Sequence, residues 1–271
     1  MLQDLHMLTP YLDFIRACNA DPDCRDPMLV TDQQLRRNLL DAPDGPNTRV
    51  LGTFEGETLT GVFALLVLED EQYLELLAGL SKCAAAYAEL LAYLRSAYPG
   101  YQADFVYNPR NRLLQAALEA LSAEFDPEQQ KLVLRRAVPY TPDARVVPYR
   151  PEFRAQYLAL HTVDRYWTGE RVLAAPEIFR VLLAVEDGAV SGYIDLTHNS
   201  TENEPYDLFV REESRRRGLG RALLAAAIQE NRPNAMSLLV DIDNEAALRL
   251  YESQGFERAE GENNITAHVW L

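Results

Sequence analysis

The chain has 271 residues, with 41 acidic against 26 basic side chains, giving a formal charge of −15 at pH 7 and a pI near 4.7. That balance argues against nucleic acid and anionic membrane surfaces as partners, because phosphate contacts need clustered Lys and Arg. Hydrophobic residues at 48% and charged residues at 25% are ordinary for a globular protein, and the length favours two cores over one.

In chain order, the N-terminus MLQDLHMLTP has no basic region of a signal peptide, and the longest apolar run, near Val62 to Leu68, is too short to span a bilayer. Cys18, Cys24 and Cys83 are odd in number and lack metal-ligand spacing, so they suggest neither a disulfide framework nor a metal site, and point to a cytoplasmic location. Periodicity predicts helices over Pro10–Ala20, Thr31–Asp41, Cys83–Tyr98 and Asn111–Phe125, and strands over Arg49–Glu55, Thr58–Leu68, Tyr73–Leu80, Tyr101–Tyr107 and Gln130–Ala137. The prolines of Ala137–Arg145 predict a linker at 139–144, separating a domain at 1–138 from one at 145–271.

After the linker come predicted helices near Phe153–His161 and Ala174–Arg180, and strands Val181–Glu186, Ala189–Thr197 and Tyr206–Val210. Then follow a helix Gly218–Glu230, a strand Met236–Ile242, a helix Asn244–Gln254 and a final strand pair. The order predicts an α/β fold, α+β in three layers, in two domains that each have a central mixed sheet flanked by helices. Sliding one half over the other lays Arg49–Gly61 on Arg180–Gly192, and Phe125 on Phe256, both at an offset of 131 (180 − 49, 256 − 125). The halves therefore read as repeats of one fold.

The strongest chemical signal is Arg215-Arg216-Arg217-Gly218-Leu219-Gly220-Arg221, which follows the strand segment Leu208-Phe209-Val210 and runs into an amphipathic helix. Glycines without Cβ let a phosphate approach the backbone, and the free N–H groups of a helix start attract anions. With four arginines in an acidic chain, the segment reads as a pyrophosphate cradle. Further on, Asn244 suits a helix N-cap and Gly255 a left-handed C-terminal cap, with Phe256 turning back into the core. Tyr251 lies two helical turns beyond Asn244, on nearly the same face. His6, His161, His198 and His268 stand singly, without the spacing of a metal site. Trp167 and Tyr166 form an aromatic pair between the first two helices of the second half.

The Arg-x-x-Gly-x-Gly pattern from Arg215 to Gly220, together with Asn244 to Gly255-Phe256, resembles the GNAT acetyltransferases. This covers about half of the chain with specific motifs, and the other half only by pattern. The resemblance implies that acetyl-CoA is the cosubstrate, held by Leu208, Phe209, Val210, Arg215, Arg216, Arg217, Gly218, Leu219, Gly220, Arg221, Asn244 and Tyr251. It implies transfer to a primary amine by direct attack without a metal, with Tyr251 as the acid that protonates the leaving thiolate. Glu204 falls where some members carry a catalytic glutamate, with Asp207 and Asp241 nearby. The glutamate found five residues before the asparagine in the branch modifying ribosomal proteins is Leu239 here. Rival expectations are another acyl-CoA donor, or a module that senses acyl-CoA without turnover. At the offset of 131, Gly218 maps to Tyr87, Gly220 to Glu89, Asn244 to Leu113 and Tyr251 to Ala120. The first domain is thus expected to be a degenerate repeat without CoA binding.

Overall fold

Two hairpins of matching position anchor the two halves in the computed structural model, which describes residues 1–161 and 167–271. Strands Thr48–Glu55 and Phe179–Glu186 begin and end 131 residues apart, and strands Thr58–Leu68 and Ala189–Thr197 start at the same offset. Short runs of β-branched and aliphatic residues, buried nearly continuously at their centres, make these segments strands, and Gly56 and Gly188 turn them with positive φ.

The contacts divide the chain into a first unit, residues 1–130 with 260–271, and a second, residues 131–259. This differs from the expected boundary at 139–144. The proline-bearing stretch after Leu134 is irregular as expected, but it lies inside the second unit. The expected final strand pair also does not form. Phe256–Arg258 pairs with Leu132–Leu134 in the second unit, whereas Ile265–Trp270 pairs with Gln102–Tyr107 in the first. Each strand satisfies its backbone groups on a sheet far away in sequence, which local alternation does not encode.

The first unit has seven strands in the order Leu2–Asp4, Thr48–Glu55, Thr58–Leu68, Tyr73–Ser81, Gln102–Tyr107, Ile265–Trp270, Glu124–Phe125. Helices Ala84–Ala97 and Arg112–Glu119 bury Tyr87, Leu90, Leu94, Leu114 and Leu118 against Phe63 and Phe105 on one face. Helix Leu12–Asn19 covers the other with Ile15 and Cys18. At roughly 1.5–3 kcal/mol per fully buried large apolar side chain, these two faces supply most of the unit's driving force.

The second unit holds two four-stranded sheets, Pro205–Val210, Ala189–Thr197, Phe179–Glu186, Val146–Pro148 and Glu202–Asn203, Ala235–Asp241, Gln129–Leu134, Phe256–Arg258. Helix Leu219–Asn231 packs Leu223, Leu224 and Ala227 on Ile194, Leu196, Met236 and Leu238. Tyr157 and Leu160 pack against Leu183, Val190 and Tyr193. The helix expected at Ala174–Arg180 instead runs Gly169–Ala174, and Phe179 already belongs to a strand. Thr168 caps its start by accepting from the Arg171 N–H at 3.4 Å, and Pro176 is unable to sit in a helix interior. No helix among the described residues is long and apolar enough to cross a membrane.

The repeat register drifts between hairpin and last helix. Asn111 and Asn244 each cap a helix, accepting from Leu114 and Ala247 N–H, so the offset there is 133 (244 − 111). The first unit therefore keeps the capping asparagine, which corrects the expected pairing of Asn244 with Leu113. What it lacks is the loop: Ser81 and the helix starting at Ala84 are separated by Lys82 and Cys83 alone, whereas Val210 and Leu219 are separated by residues 211–218.

Candidate active site

Glu202–Asn203, which leads into strand Pro205–Val210 of the other sheet, runs parallel to Ala235–Met236. Beyond that point, strand Pro205–Val210 is hydrogen-bonded on one side alone, to Ala189–Thr197, and the sheet opens. A register shift at Tyr206 separates the Asp195–Asp207 pair from the Leu196–Pro205 pair. Such a shift re-aims the side chains that follow, here Asp207 to Val210.

At the mouth of the opening, residues Glu212–Ser214 form a 3-10 turn and Ser214 is buried. Arg216 then adopts φ +62, a left-handed conformation costing a non-glycine residue about 1–2 kcal/mol. Gly218 follows at φ +83 as N-cap of helix Leu219–Asn231, and nothing lies within 4 Å of where its Cβ would stand. Left-handed residues before a helix start turn successive N–H groups toward one point, forming an anion nest. No side chain caps this helix, so its first N–H groups are left for a ligand.

A cavity of about 610 Å³ lies over this nest. Of the expected residues, Leu208, Phe209, Val210, Arg215, Arg216, Gly218, Leu219, Gly220, Arg221 and Tyr251 line it. Arg217 and Asn244 do not. Arg217 instead pairs with Glu186 at 2.9 Å, and Asn244 is occupied in capping. Arg215 donates through Nε to the Val210 carbonyl, fixing the loop to the strand, while Arg216 and Arg221 have no carboxylate partner among the described residues. Ala247, Arg249 and Leu250 complete the far wall, and in the sequence only their helical spacing from Tyr251 points to them. An open cationic nest beside a slot walled by Leu208, Leu250 and Val210 fits a diphosphate with an extended arm, so the residues present fit CoA.

Tyr251 sits 8% exposed with its ring 5.7 Å from Phe256. Burial, and after it the charge of Asp207, pushes its hydroxyl up to about 12, so it is protonated at neutral pH. Glu204 does not line the cavity. Its N–H donates to Thr197 Oγ1 at 2.8 Å, and burial first, then Glu202, raises its carboxyl above the usual range.

Behind the strand lies a cluster that tertiary contacts assemble from Tyr157, His161, Tyr193, Asp195 and Asp207. Asp195, fully buried, accepts from Tyr157 Oη at 3.0 and 3.1 Å, and Tyr193 Oη donates to Asp207 at 2.6 Å. His161 stacks on Tyr193 at 4.3 Å, with Nε2 3.2 Å from Asp195 Oδ2 but off the direction of a hydrogen bond. Ligand-type atoms of His161, Asp195 and Asp207 lie within 4.8 Å of one another. Tyrosine hydroxyls hold both carboxylates, so the group forms a hydrogen-bonded network. Trp167 packs edge-on to Phe179 at 4.9 Å, and Tyr166 lies outside the described residues.

An opened sheet edge with an arginine-lined anion nest at the adjoining helix start is the arrangement of the GNAT fold. Residues 177–258 match the family model of the acetyltransferase (GNAT) domain, and solved structures of the GNAT fold align over the whole chain, in keeping with two GNAT-like units. No curated protein matches it. Among solved structures, a GCN5-related N-acetyltransferase from Sphaerobacter thermophilus aligns over 99% of this chain and 94% of its own, at 13% identity and a TM-score of 0.64. A GNAT-family acetyltransferase from Colwellia psychrerythraea covers 100% of both chains at 12% identity and a TM-score of 0.52. A tandem GNAT protein from the clavulanic acid biosynthesis pathway covers 99% and 98% at 13% identity and a TM-score of 0.55. At these identities the likeness concerns the fold.

Proposed function

We propose that the second unit transfers acetyl from acetyl-CoA to a primary amine by direct attack, and that the first unit binds no CoA. The observation that carries this is the sharing of one cavity by the anion nest and the Tyr251 hydroxyl. Acetyl-CoA, when bound, would supply the activated thioester. Gly218, Gly220, Arg215, Arg216 and Arg221 bind its diphosphate, and Arg217 shapes the loop through Glu186. The open edge of Leu208–Val210 offers backbone N–H groups to the carbonyl oxygen. Tyr251, protonated and next to the slot, gives its proton to the departing sulfur. Asn244 holds the start of the helix that presents Tyr251. The amine's proton passes to a carboxylate at this strand: Glu204 is the one indicated by the family resemblance, and Asp207 is the other.

The absence of a cradle loop between Ser81 and Ala84 supports a first unit without CoA, and the site needs no metal in this reading. The acidic chain suits an amine that arrives as a cation, and the composition supports a cytoplasmic location. The test is a panel of amines incubated with acetyl-CoA, following thiol release together with the product mass. Amine-dependent thiol release with an acetylated product is expected. Tight acetyl-CoA binding with no turnover of any amine would support a sensing module instead, and turnover only with longer acyl-CoA would displace acetyl as the donor group.

A further inference from the structure

We propose that His161 Nε2 and the carboxylates of Asp195 and Asp207 form a binding site for one divalent cation of the zinc type, on the face of strand Pro205–Val210 turned away from the acyl-CoA cavity. None of the three lines that cavity, so the site stands or falls independently of acyl transfer. Alternation along the strand separates the two faces. Leu208 and Val210 join the core around helix Leu219–Asn231, whereas Phe209 packs on the side of Tyr193 and Tyr157, where Asp207 also meets Tyr193.

Asp195 is fully buried and stands directly across the ladder from Asp207. Like charges in that register repel, and packed apolar side chains would serve the fold better than two carboxylates taken out of water. Among the described residues, the groups that meet the pair are Tyr157, Tyr193 and His161, with no lysine or arginine. One divalent ion balances both carboxylates at once.

His161 adds an independent sign. Its side chain is 9% exposed, and Nε2 is buried without a hydrogen-bond partner although Asp195 Oδ2 is 3.2 Å away, off the direction of a hydrogen bond. Two donors held by one ion through bonds of about 2.1 Å stand about 3.0 Å apart in octahedral and about 3.4 Å apart in tetrahedral geometry. The separation of 3.2 Å is therefore that of neighbouring ligands. The ligand atoms of all three residues lie within 4.8 Å of one another, and side-chain rotation closes the remaining edges. Packing fixes the imidazole: it stacks on Tyr193 at 4.3 Å, meets Tyr157 edge-on at 4.6 Å, and has Gly169 beside it, where a Cβ would stand 3.0 Å from the ring. Tyr157 donates to both oxygens of Asp195, and Tyr193 to Oδ2 of Asp207, as the outer partners of ligating carboxylates do.

One imidazole with two carboxylates favours a zinc-type ion over Ca²⁺ and Mg²⁺, which take oxygen ligands. The ligands come from the turn after helix Arg154–Leu158, from strand Ala189–Thr197 and from strand Pro205–Val210. The ion thus ties the strand with the open edge to its neighbours. With Asp207 so engaged, Glu204 is the carboxylate left at this strand for the amine's proton.

The experiment is a Zn²⁺ titration of the full chain after treatment with EDTA, read by calorimetry and by metal analysis of the dialysed protein. One Zn²⁺ per chain should survive dialysis, and Zn²⁺ at about a hundredfold over Kd should raise the melting temperature of the second unit by roughly 5–10 °C. Tyr193→Phe keeps the ring stack and removes one outer donor, so it should weaken Zn²⁺ binding by about 10–100-fold, and His161→Gln, which removes a ligand, by more. Co²⁺ in place of Zn²⁺ should give visible bands of nitrogen and oxygen coordination with no thiolate charge-transfer band, which separates this site from Cys18, Cys24 and Cys83. If His161→Gln does not fold, Asp207→Asn takes its place, and the wild-type Co²⁺ spectrum decides in either case. A wild-type chain that keeps no Zn²⁺ and melts at the same temperature with and without it overturns the proposal, leaving His161 and Asp195 as an ion pair. A thiolate band, or Zn²⁺ affinity unchanged in the variants, overturns it as well.

Discussion

Substitution of Gly220 separates the shape of the nest from its charge. A Cβ at this position would stand 3.5 Å from Leu250 Cδ2 and 3.8 Å from Val210 Cγ2, which is ordinary contact. Gly220→Ala should therefore fold, gain roughly 0.5–1 kcal/mol of stability from helix propensity, and change CoA affinity within about tenfold. Gly220→Glu places a carboxylate on the cavity wall shared with Arg215, Arg216 and Arg221. A like-charge pair about 5 Å apart costs roughly 3 kcal/mol at an effective dielectric near 20 and about 1 kcal/mol in water. The cavity is open, and a diphosphate carries more than one charge, so a net loss of about 3 kcal/mol is expected, or roughly a 100-fold weaker Kd. Isothermal calorimetry with CoA reads this directly, and raised salt should narrow the difference between the two variants. If Gly220→Glu binds CoA within threefold of the wild type, the diphosphate does not lie on this wall.

Three further outcomes follow from individual contacts. Tyr251→Phe keeps the ring against Phe256 and removes the hydroxyl, so kcat should fall by about 10²–10⁴-fold with acetyl-CoA affinity little changed, measured where chemistry limits the rate. Gly255 has φ +94, a Cβ there would lie 1.8 Å from the Arg136 carbonyl, and its own carbonyl accepts from the Arg135 and Arg136 N–H groups. Gly255→Ala should thus destabilise the second unit by roughly 3–5 kcal/mol, combining left-handed strain with about 1 kcal/mol per lost hydrogen bond, and lower its melting temperature by about 10 °C in calorimetry. Burial alone would lower the pKa of His268, but Asp104 at 2.8 Å and Asp126 at 3.3 Å outweigh it and raise it above 6.5. The folded state therefore holds this proton more tightly than the unfolded chain. The stabilisation is complete below about 6.5 and is lost as pH rises through the raised value. Urea unfolding of the first unit should show this slope, and His268→Asn should flatten it.

The hairpins and the last helix were legible because their signals are local. The near-continuous apolar run of Thr58–Leu68 and the Asn244 and Gly255 caps each specify an element from within a few residues. The Arg215–Gly220 segment was legible as a nest for the same reason, since left-handed residues before a helix have a sequence signature. Long-range choices were not. Nothing near Ile265 indicates that its strand joins Gln102–Tyr107 and not Phe256–Arg258, because the choice of partner is made by residues far away in sequence. Local periodicity predicts a helix across Pro176, whereas the helix capped by Thr168 ends at Ala174 before that proline. The Asp195–Asp207 pairing depends on the register of two strands and on a register shift at Tyr206, and a slip of one residue would point either carboxylate to the opposite face. Arg217, alike in sequence to Arg216, differs only because Glu186 lies within its reach.

The central claim is that the second unit alone holds acetyl-CoA, at the Gly218–Gly220 helix start. Titration of the intact chain with acetyl-CoA, repeated on Gly220→Glu, tests it most directly. The account predicts one site per chain in the wild type, with affinity in the variant lowered by about 100-fold at an unchanged melting temperature. Two sites per chain, or a single site that Gly220→Glu leaves intact, would contradict it.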